Sequence, residues 1–71
     1  MKAEDLQGTI AKYMKKRHIR TKAQLMAHTT VGSPNTFRKY LEDPDLMPMG
    51  VFIQIMDALN VPREERFELL N

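Results

Sequence analysis

Apolar residues recur along this chain at helical spacing, and they predict short amphipathic helices. In residues 4–17 the apolar positions fall three or four residues apart, so they form one stripe along a leading helix. The stripe consists of Leu6, Ile10, Tyr13 and Met14. Ile19 follows as an apolar anchor in the link to the next helix. The chain is therefore predicted to begin with a helix that buries one face.

A second, shorter helix is predicted to begin at Thr21. Thr21 and Gln24 have the spacing of a capping box, in which each side chain satisfies a free backbone N–H group at the start of a helix. The apolar residues that follow form an incomplete stripe, which suits a short helix wedged between neighbours. They are Ala23, Leu25 and Met26. Thr29, Thr30 and Gly32 then end this helix.

The next helix is predicted over residues 34–42. Gly32 is free to take a positive φ before it, Ser33 can cap it, and Pro34 suits its first position, where a missing N–H has no cost. The residues at the spacing of a buried face are Phe37, Tyr40 and Leu41. The residues that then point away from the core are Asn35, Lys39 and Glu42, flanked by Thr36 and Arg38. This helix therefore has a polar, mostly cationic outer face.

A fourth helix is predicted from Pro48 to Leu59. Residues 43–45, Asp-Pro-Asp, interrupt the preceding helix, and Pro48 suits a new helix start. The apolar residues beyond Pro48 cover so much of the helix surface that we expect this helix to be the most buried. They are Val51, Phe52, Ile53, Ile55, Met56, Ala58 and Leu59.

A short final helix completes the pattern. Asn60 can take the left-handed conformation that ends a helix, and Pro62 can open a further helix that contains Phe67 and Leu70. Either this last helix closes the core, or its apolar residues add to an exposed patch that serves a homodimer or another partner. The patch would consist of Ile53, Met56, Phe67 and Leu70. The sequence thus predicts an all-α, compact bundle of about five short helices.

The outer face of the helix at residues 34–42 carries side-chain types that suit a DNA major groove. Asparagine and threonine can meet base edges, and arginine or lysine can meet guanine or phosphate. A solvated surface helix has a similar polar face, so both interpretations stay open. Two short helices separated by a tight turn are nevertheless typical of a helix-turn-helix, and this motif favours DNA binding.

Charge is divided unevenly between the two halves of the chain. Residues 1–40 hold nine Lys or Arg and two acids, and residues 41–71 hold two and seven, so the halves carry +7 and −5. A basic run precedes and enters the second helix, and it contains Lys12, Lys15, Lys16, Arg17, Arg20 and Lys22. Such a run can neutralise phosphates beside an inserted helix. It can also complement the dipole at the C-terminal end of the leading helix.

Composition excludes several classes of function. A chain of 71 residues supports one domain with one core, here residues 1–71. It has no cysteine, and His18 and His28 lack carboxylates at ligand spacing. No phosphate-binding loop, nucleophile motif or acid–base pair is present, and no apolar stretch suits a signal peptide or a membrane span. We expect a soluble, intracellular protein that is not an enzyme and uses no cofactor, metal or small-molecule substrate.

Several segments occur in an order typical of one protein family. They are Thr21-Lys22-Ala23-Gln24-Leu25, Val31, Ser33-Pro34-Asn35-Thr36-Phe37, Met47-Pro48 and residues 52–61. The most specific part is residues 55–61, which follow the pattern Ile-x-x-Ala-Leu-x-Val. Over about residues 4–62 the chain thus resembles the Cro and repressor-type helix-turn-helix family of phage and bacterial regulators. The resemblance implies a lambda repressor-like fold whose second and third helices contact DNA, usually in a dimer on paired half-sites.

The resemblance also implies which side chains contact DNA. The start of the second helix would approach phosphates, and the third helix would face the groove. The predicted DNA-binding residues are Thr21, Lys22, Gln24, Ser33, Asn35, Thr36, Arg38 and Lys39, with Lys16 and Arg17 from the basic run. When Val31 is aligned with the family, Phe37 falls one residue late, so the turn is one residue longer. In that case Asn35 and Thr36 can exchange their roles in the contact with the groove.

The expected function is that of a small sequence-specific transcriptional regulator, repressor-like and of phage, prophage or mobile-element type. Its partner would be double-stranded DNA, it would act in the bacterial cytoplasm or nucleoid, and the resemblance allows a homodimer. The family also contains proteins that have lost DNA binding and use the same bundle for protein contacts. A helical protein-interaction module is therefore the alternative.

Overall fold

The structure consists of five α-helices and one short 3₁₀ helix. In the computed structural model, which describes all 71 residues, the α-helices are α1 (Ala3–Lys16), α2 (Lys22–Met26), α3 (Pro34–Glu42), α4 (Met49–Leu59) and α5 (Arg63–Leu70). The 3₁₀ helix, Pro44–Leu46, lies between α3 and α4. No strand is present, so the predicted all-α class is confirmed. None of the helices is both long and apolar enough to pass through a lipid bilayer.

The predicted starts of α2 and α3 are confirmed by their hydrogen bonds. The Thr21 hydroxyl accepts the Gln24 N–H at 3.1 Å, and Gln24 Oε1 accepts the Thr21 N–H at 3.4 Å, which completes the capping box. The Ser33 hydroxyl accepts the Thr36 N–H at 3.4 Å, and Pro34 occupies the first position of α3. Local side chains therefore determine where both helices begin.

Two residues other than glycine have a positive φ, and each follows a helix. Asn60, with a φ of 52°, ends α4 in the left-handed conformation predicted for it. His18, with a φ of 58°, lies shortly after α1, where the chain turns towards α2. Gly32 does not have a positive φ, so the conformation suggested for it was wrong. The chain enters α3 instead through the extended backbone of Ser33, with φ −114° and ψ 122°.

The helices enclose a single apolar core. Its thirteen buried residues are Leu6, Ile10, Tyr13, Leu25, Phe37, Leu41, Val51, Phe52, Ile55, Met56, Leu59, Val61 and Leu69. Five of them belong to α4, which agrees with its predicted central position. Met56 is fully buried, so its predicted place in an exposed apolar patch was wrong. Ala23, assigned to the buried stripe of α2, is exposed, and Tyr40 is only half-buried against the core.

The last helix packs through a different residue from those predicted. Leu69 is 7% exposed, whereas Phe67 and Leu70 are 59% and 43% exposed. Leu69 lies one helical turn after Glu65, and Glu65 accepts a hydrogen bond from Tyr13 on α1. α5 therefore turns Leu69 and Glu65 towards α1, and this orientation leaves Phe67 in solvent.

Candidate nucleic-acid interface

α3 exposes the polar residues that were predicted to face a partner. Asn35, Arg38, Lys39 and Glu42 are exposed and Thr36 is half-buried, and we call these five residues the outer face of α3. The side chains of Asn35 and Lys39 have no hydrogen-bond or ion-pair partner in the protein. Arg38 Nε lies 3.9 Å from Glu42 Oε1, with both side chains 65% exposed. A pair this exposed is weak, so the Arg38 guanidinium can exchange Glu42 for another anion.

α3 is held at both ends, and this gives its outer face a defined position. Ser33 caps the first turn, as described above. At the other end Gln7 Nε2 donates to the Leu41 carbonyl at 2.8 Å, so α1 satisfies one of the free carbonyls in the last turn of α3. Phe37 and Leu41 anchor the opposite side in the core, at 3% and 2% exposure. Gln7 was missed by the sequence analysis, because no local pattern connects it to a carbonyl 34 residues away.

The residues at the start of α2 serve mainly its own structure. Gln24 Oε1 accepts the backbone N–H of Arg20 at 2.7 Å as well as that of Thr21. The Thr21 hydroxyl oxygen likewise accepts the Gln24 N–H, which leaves the O–H itself free to donate. Lys22 is exposed and its ammonium has no partner in the protein. Of the three residues predicted to approach phosphates here, Lys22 therefore offers a free charge, Thr21 offers its hydroxyl O–H and Gln24 offers its amide NH₂ group.

The connection between α2 and α3, residues 27–33, is hydrogen-bonded to α2 and to α4. The Thr29 hydroxyl donates to the Met26 carbonyl at 2.7 Å and accepts the Val31 N–H at 3.2 Å. Gln54 on α4 reaches across and accepts the Thr30 N–H at 3.0 Å. Because these bonds engage donors that a loop would otherwise leave to water, they restrain how α3 is placed relative to α2. Gln54 lies 24 residues from Thr30, so no local sequence pattern indicates this contact.

The basic run divides into cations that support the fold and cations that remain free. The Arg17 guanidinium donates to the Leu59 carbonyl at 2.9 Å and to the Asn60 carbonyl at 3.4 Å, at the C-terminal end of α4. Its positive charge suits the negative end of that helix dipole. Lys16 Nζ lies 5.1 Å from the centre of the Tyr13 ring, a cation–π distance. Lys16 and Arg17, both predicted to bind DNA, are thus already engaged with side chains or carbonyls of the protein.

Lys12 belongs to the contact between α1 and α5. Its ammonium lies 3.4 Å from Glu65 Oε1 and 5.2 Å from the centre of the Tyr13 ring. The hydrogen bond from Tyr13 lowers the pKa of Glu65, and Lys12 and Lys16 add to this effect. The same hydrogen bond raises the pKa of Tyr13, with burial as a second cause. These pKa shifts arise from the contact that joins α1 to α5.

The cations of the basic run that stay without a partner are Lys15, Arg20 and Lys22.

The exposed groups on α3 comprise the Asn35 amide, the cations of Arg38 and Lys39 and the carboxylate of Glu42. His18 and His28 are both exposed. No group of three or more His, Cys, Asp or Glu side chains is placed to hold a metal ion. A scan against protein-family models, a search of curated proteins and a search of solved structures found no match to this chain.

Proposed function

We propose that this protein binds double-stranded DNA sequence-specifically, with α2 and α3 acting as a helix-turn-helix and α3 lying in the major groove. The observation that carries this proposal is the outer face of α3. There Asn35 and Lys39 are exposed without a partner, and Arg38 has only a weak one. Asparagine pairs with adenine, arginine or lysine pairs with guanine, and threonine suits several base edges.

The dimensions of α3 are compatible with this role. Its nine residues rise about 1.5 Å each, so the helix is about 13 Å long and passes about four base pairs. An α-helix with its side chains is about 10–12 Å wide, and the major groove of B-DNA is about 12 Å wide. The hydrogen bonds from Ser33, Gln7 and Gln54 restrain α3 and residues 27–33 in the protein without DNA. Less ordering is then needed on binding.

The exposed charges of the protein also support DNA as its partner. Lys22 at the start of α2, Arg20 just before it and Lys15 in the last turn of α1 are exposed cations, and they can neutralise phosphates. Seven of the nine acidic residues follow residue 40, and three of those, Glu42, Asp57 and Glu65, pair with Arg38, Arg66 and Lys12. The exposed cations that remain unpaired can attract the DNA backbone at long range.

The wider biological role rests on the resemblance to Cro and repressor-type regulators. On that basis the protein is a repressor-like transcriptional regulator of phage, prophage or mobile-element type that acts in the bacterial cytoplasm or nucleoid. A homodimer would place two copies of α3 on half-sites about one helical turn apart.

Selection from a pool of random DNA duplexes tests the proposal. The chain is incubated with the pool at two salt concentrations, and bound duplexes are sequenced. An Arg38→Ala/Lys39→Ala variant is run beside it, with Lys2→Ala/Arg63→Ala as the matched control. The control removes the same charge from exposed residues outside the outer face of α3. An enriched motif that is lost only in the first variant supports sequence-specific binding, and a palindromic motif adds a dimer.

Two other outcomes would contradict the proposal. Salt-sensitive binding without an enriched motif would indicate a non-specific DNA role. Absence of binding at both salt concentrations would favour the second candidate, a protein-interaction module. The observation in favour of that candidate is the exposed apolar surface of α5, where Phe67 is 59% and Leu70 is 43% exposed. Exposed residues of this kind are used in contacts between proteins.

A further inference from the structure

A small apolar notch lies between α2 and α3, beside the outer face of α3. Its volume is about 170 Å³, and it is lined by Lys22, Ala23, Met26, Pro34, Phe37 and Arg38. Four of these side chains are apolar, and the other two are exposed cations. Phe37 is held in the core at 3% exposure, so it forms a fixed wall. The notch is therefore a preformed apolar recess between two positive charges.

The helical geometry of α3 places this notch next to the groups proposed to meet base edges. Pro34 and Arg38 are four residues apart, so they share one edge of α3, and this edge faces α2. Asn35 and Lys39 each lie one residue further along, about 100° around the helix. Asn35, whose amide suits a base edge, thus lies beside the notch, and the base next to the one that Asn35 meets can approach the recess.

We propose that the notch receives the 5-methyl group of a thymine, so that Ala23 and Met26 help to determine sequence specificity. This inference rests on the proposed function. The thymine methyl is the apolar group among the hydrogen-bonding groups that base pairs present in the major groove. Apolar side chains therefore distinguish thymine from the other bases, while Lys22 and Arg38 remain available to phosphates or to a neighbouring guanine. A preference at this base pair arises from α2 as well as from α3.

Deoxyuridine provides the test, because it differs from thymidine in DNA only by the missing methyl group. Each thymine of the motif selected from random duplexes is replaced in turn by uracil, and the dissociation constants are compared. Burial of one such group corresponds to about 0.8 kcal/mol. We therefore expect at least one replacement to weaken binding about fourfold. Replacements elsewhere in the duplex are expected to have no effect.

Variants of Ala23 test whether the weaker binding of uracil arises at the notch. Ala23 is exposed on a helix, so Ala23→Leu is expected to fold while filling the recess. Ala11→Leu makes the same change at an exposed position of α1 and is the matched control. Ala23→Ser, which is close to alanine in size, keeps the space open but adds a hydroxyl. We expect the thymine-over-uracil preference to disappear in Ala23→Leu, to shrink in Ala23→Ser, and to persist in Ala11→Leu.

The possible failures are distinguishable. A selected motif without thymine, or one in which uracil binds as well as thymine, overturns the assignment of the notch and leaves DNA binding intact. A uracil effect that persists unchanged in both Ala23 variants also overturns it. If the unmodified chain binds no DNA at all, the proposed function fails together with this inference.

Discussion

The Tyr13 hydroxyl donates a hydrogen bond of 2.7 Å to Glu65 Oε1, and this bond joins the first helix of the bundle to the last. The bond is formed with the carboxylate, and it is the main reason why the pKa of Glu65 lies below its ordinary value. Lys12, 3.4 Å from the same oxygen, favours the same ionised form. A negative charge at Glu65 therefore contributes to the attachment of α5 to α1, beside the burial of Leu69.

Acid is expected to weaken this attachment. Because the pKa of Glu65 is lower in the folded than in the unfolded chain, its contribution to stability is present above the ordinary value of 4.5 and is lost as the pH falls through the lowered pKa. Glu65→Gln should lower the melting temperature by a few degrees at neutral pH. It should also reduce the further loss on acidification. Thermal unfolding followed by circular dichroism across this pH range measures both effects.

Glu64→Gln is the control for this prediction. Glu64 is exposed and has no partner, so its replacement should leave the acid dependence of the melting temperature as in the unmodified chain. Parallel curves for Glu65→Gln and the unmodified chain would show instead that the charge of Glu65 does not hold α5.

Arg17 is expected to stabilise the fold at the C-terminal end of α4. Arg17→Ala removes a 2.9 Å hydrogen bond to the Leu59 carbonyl and a positive charge near the negative end of the helix dipole. Since the residue is exposed, the expected cost is about 1 kcal/mol of unfolding free energy. Urea unfolding measures it. Arg20→Ala, which removes an exposed guanidinium without a partner, should cost less than about 0.5 kcal/mol. Equal costs in the two variants would contradict this role of Arg17.

Two phenylalanines test the division between core and surface. Phe37 is 3% exposed and Phe67 is 59% exposed. Phe37→Ala should therefore reduce the free energy of unfolding by about 3–5 kcal/mol, whereas Phe67→Ala should change it by less than about 0.5 kcal/mol. Denaturant unfolding of both variants provides the comparison. If Phe37→Ala were as stable as the unmodified chain, the assignment of Phe37 to the core would be wrong.

Much of the fold could be predicted because its signals are local. The capping box of Thr21 and Gln24, the serine and proline at the start of α3, and the left-handed Asn60 each depend on residues within one helical turn. The orientation of α5 could not be predicted in this way. Phe67, Leu69 and Leu70 are all strongly apolar, and which of them is buried depends on contacts with distant parts of the fold, such as that of Glu65 with Tyr13, 52 residues away.

The candidate site could be predicted as a helix face but not as a set of free charges. Helical periodicity alone indicated the exposure of Asn35, Arg38 and Lys39. Charge patterning could not separate Arg17 from Lys15, because the difference lies in a carbonyl 42 residues from Arg17. The apolar notch was also missed, since Ala23 and Met26 had been assigned to a buried stripe.

Lys39 and Asn35 are expected to contribute to DNA binding in different ways. Lys39 carries an exposed charge without a partner, so Lys39→Ala should weaken binding to all sequences and reduce the slope of log affinity against log salt by about 1. Asn35 is neutral, so Asn35→Ala should keep that slope. It should lower affinity for the selected motif by about 1–3 kcal/mol while relaxing the preference at one base pair. Affinities for the motif and for a scrambled duplex at several salt concentrations separate the two. If Lys39→Ala changed the base preference and Asn35→Ala changed the slope, the roles assigned along α3 would be reversed, and the register of this helix in the groove would have to be shifted.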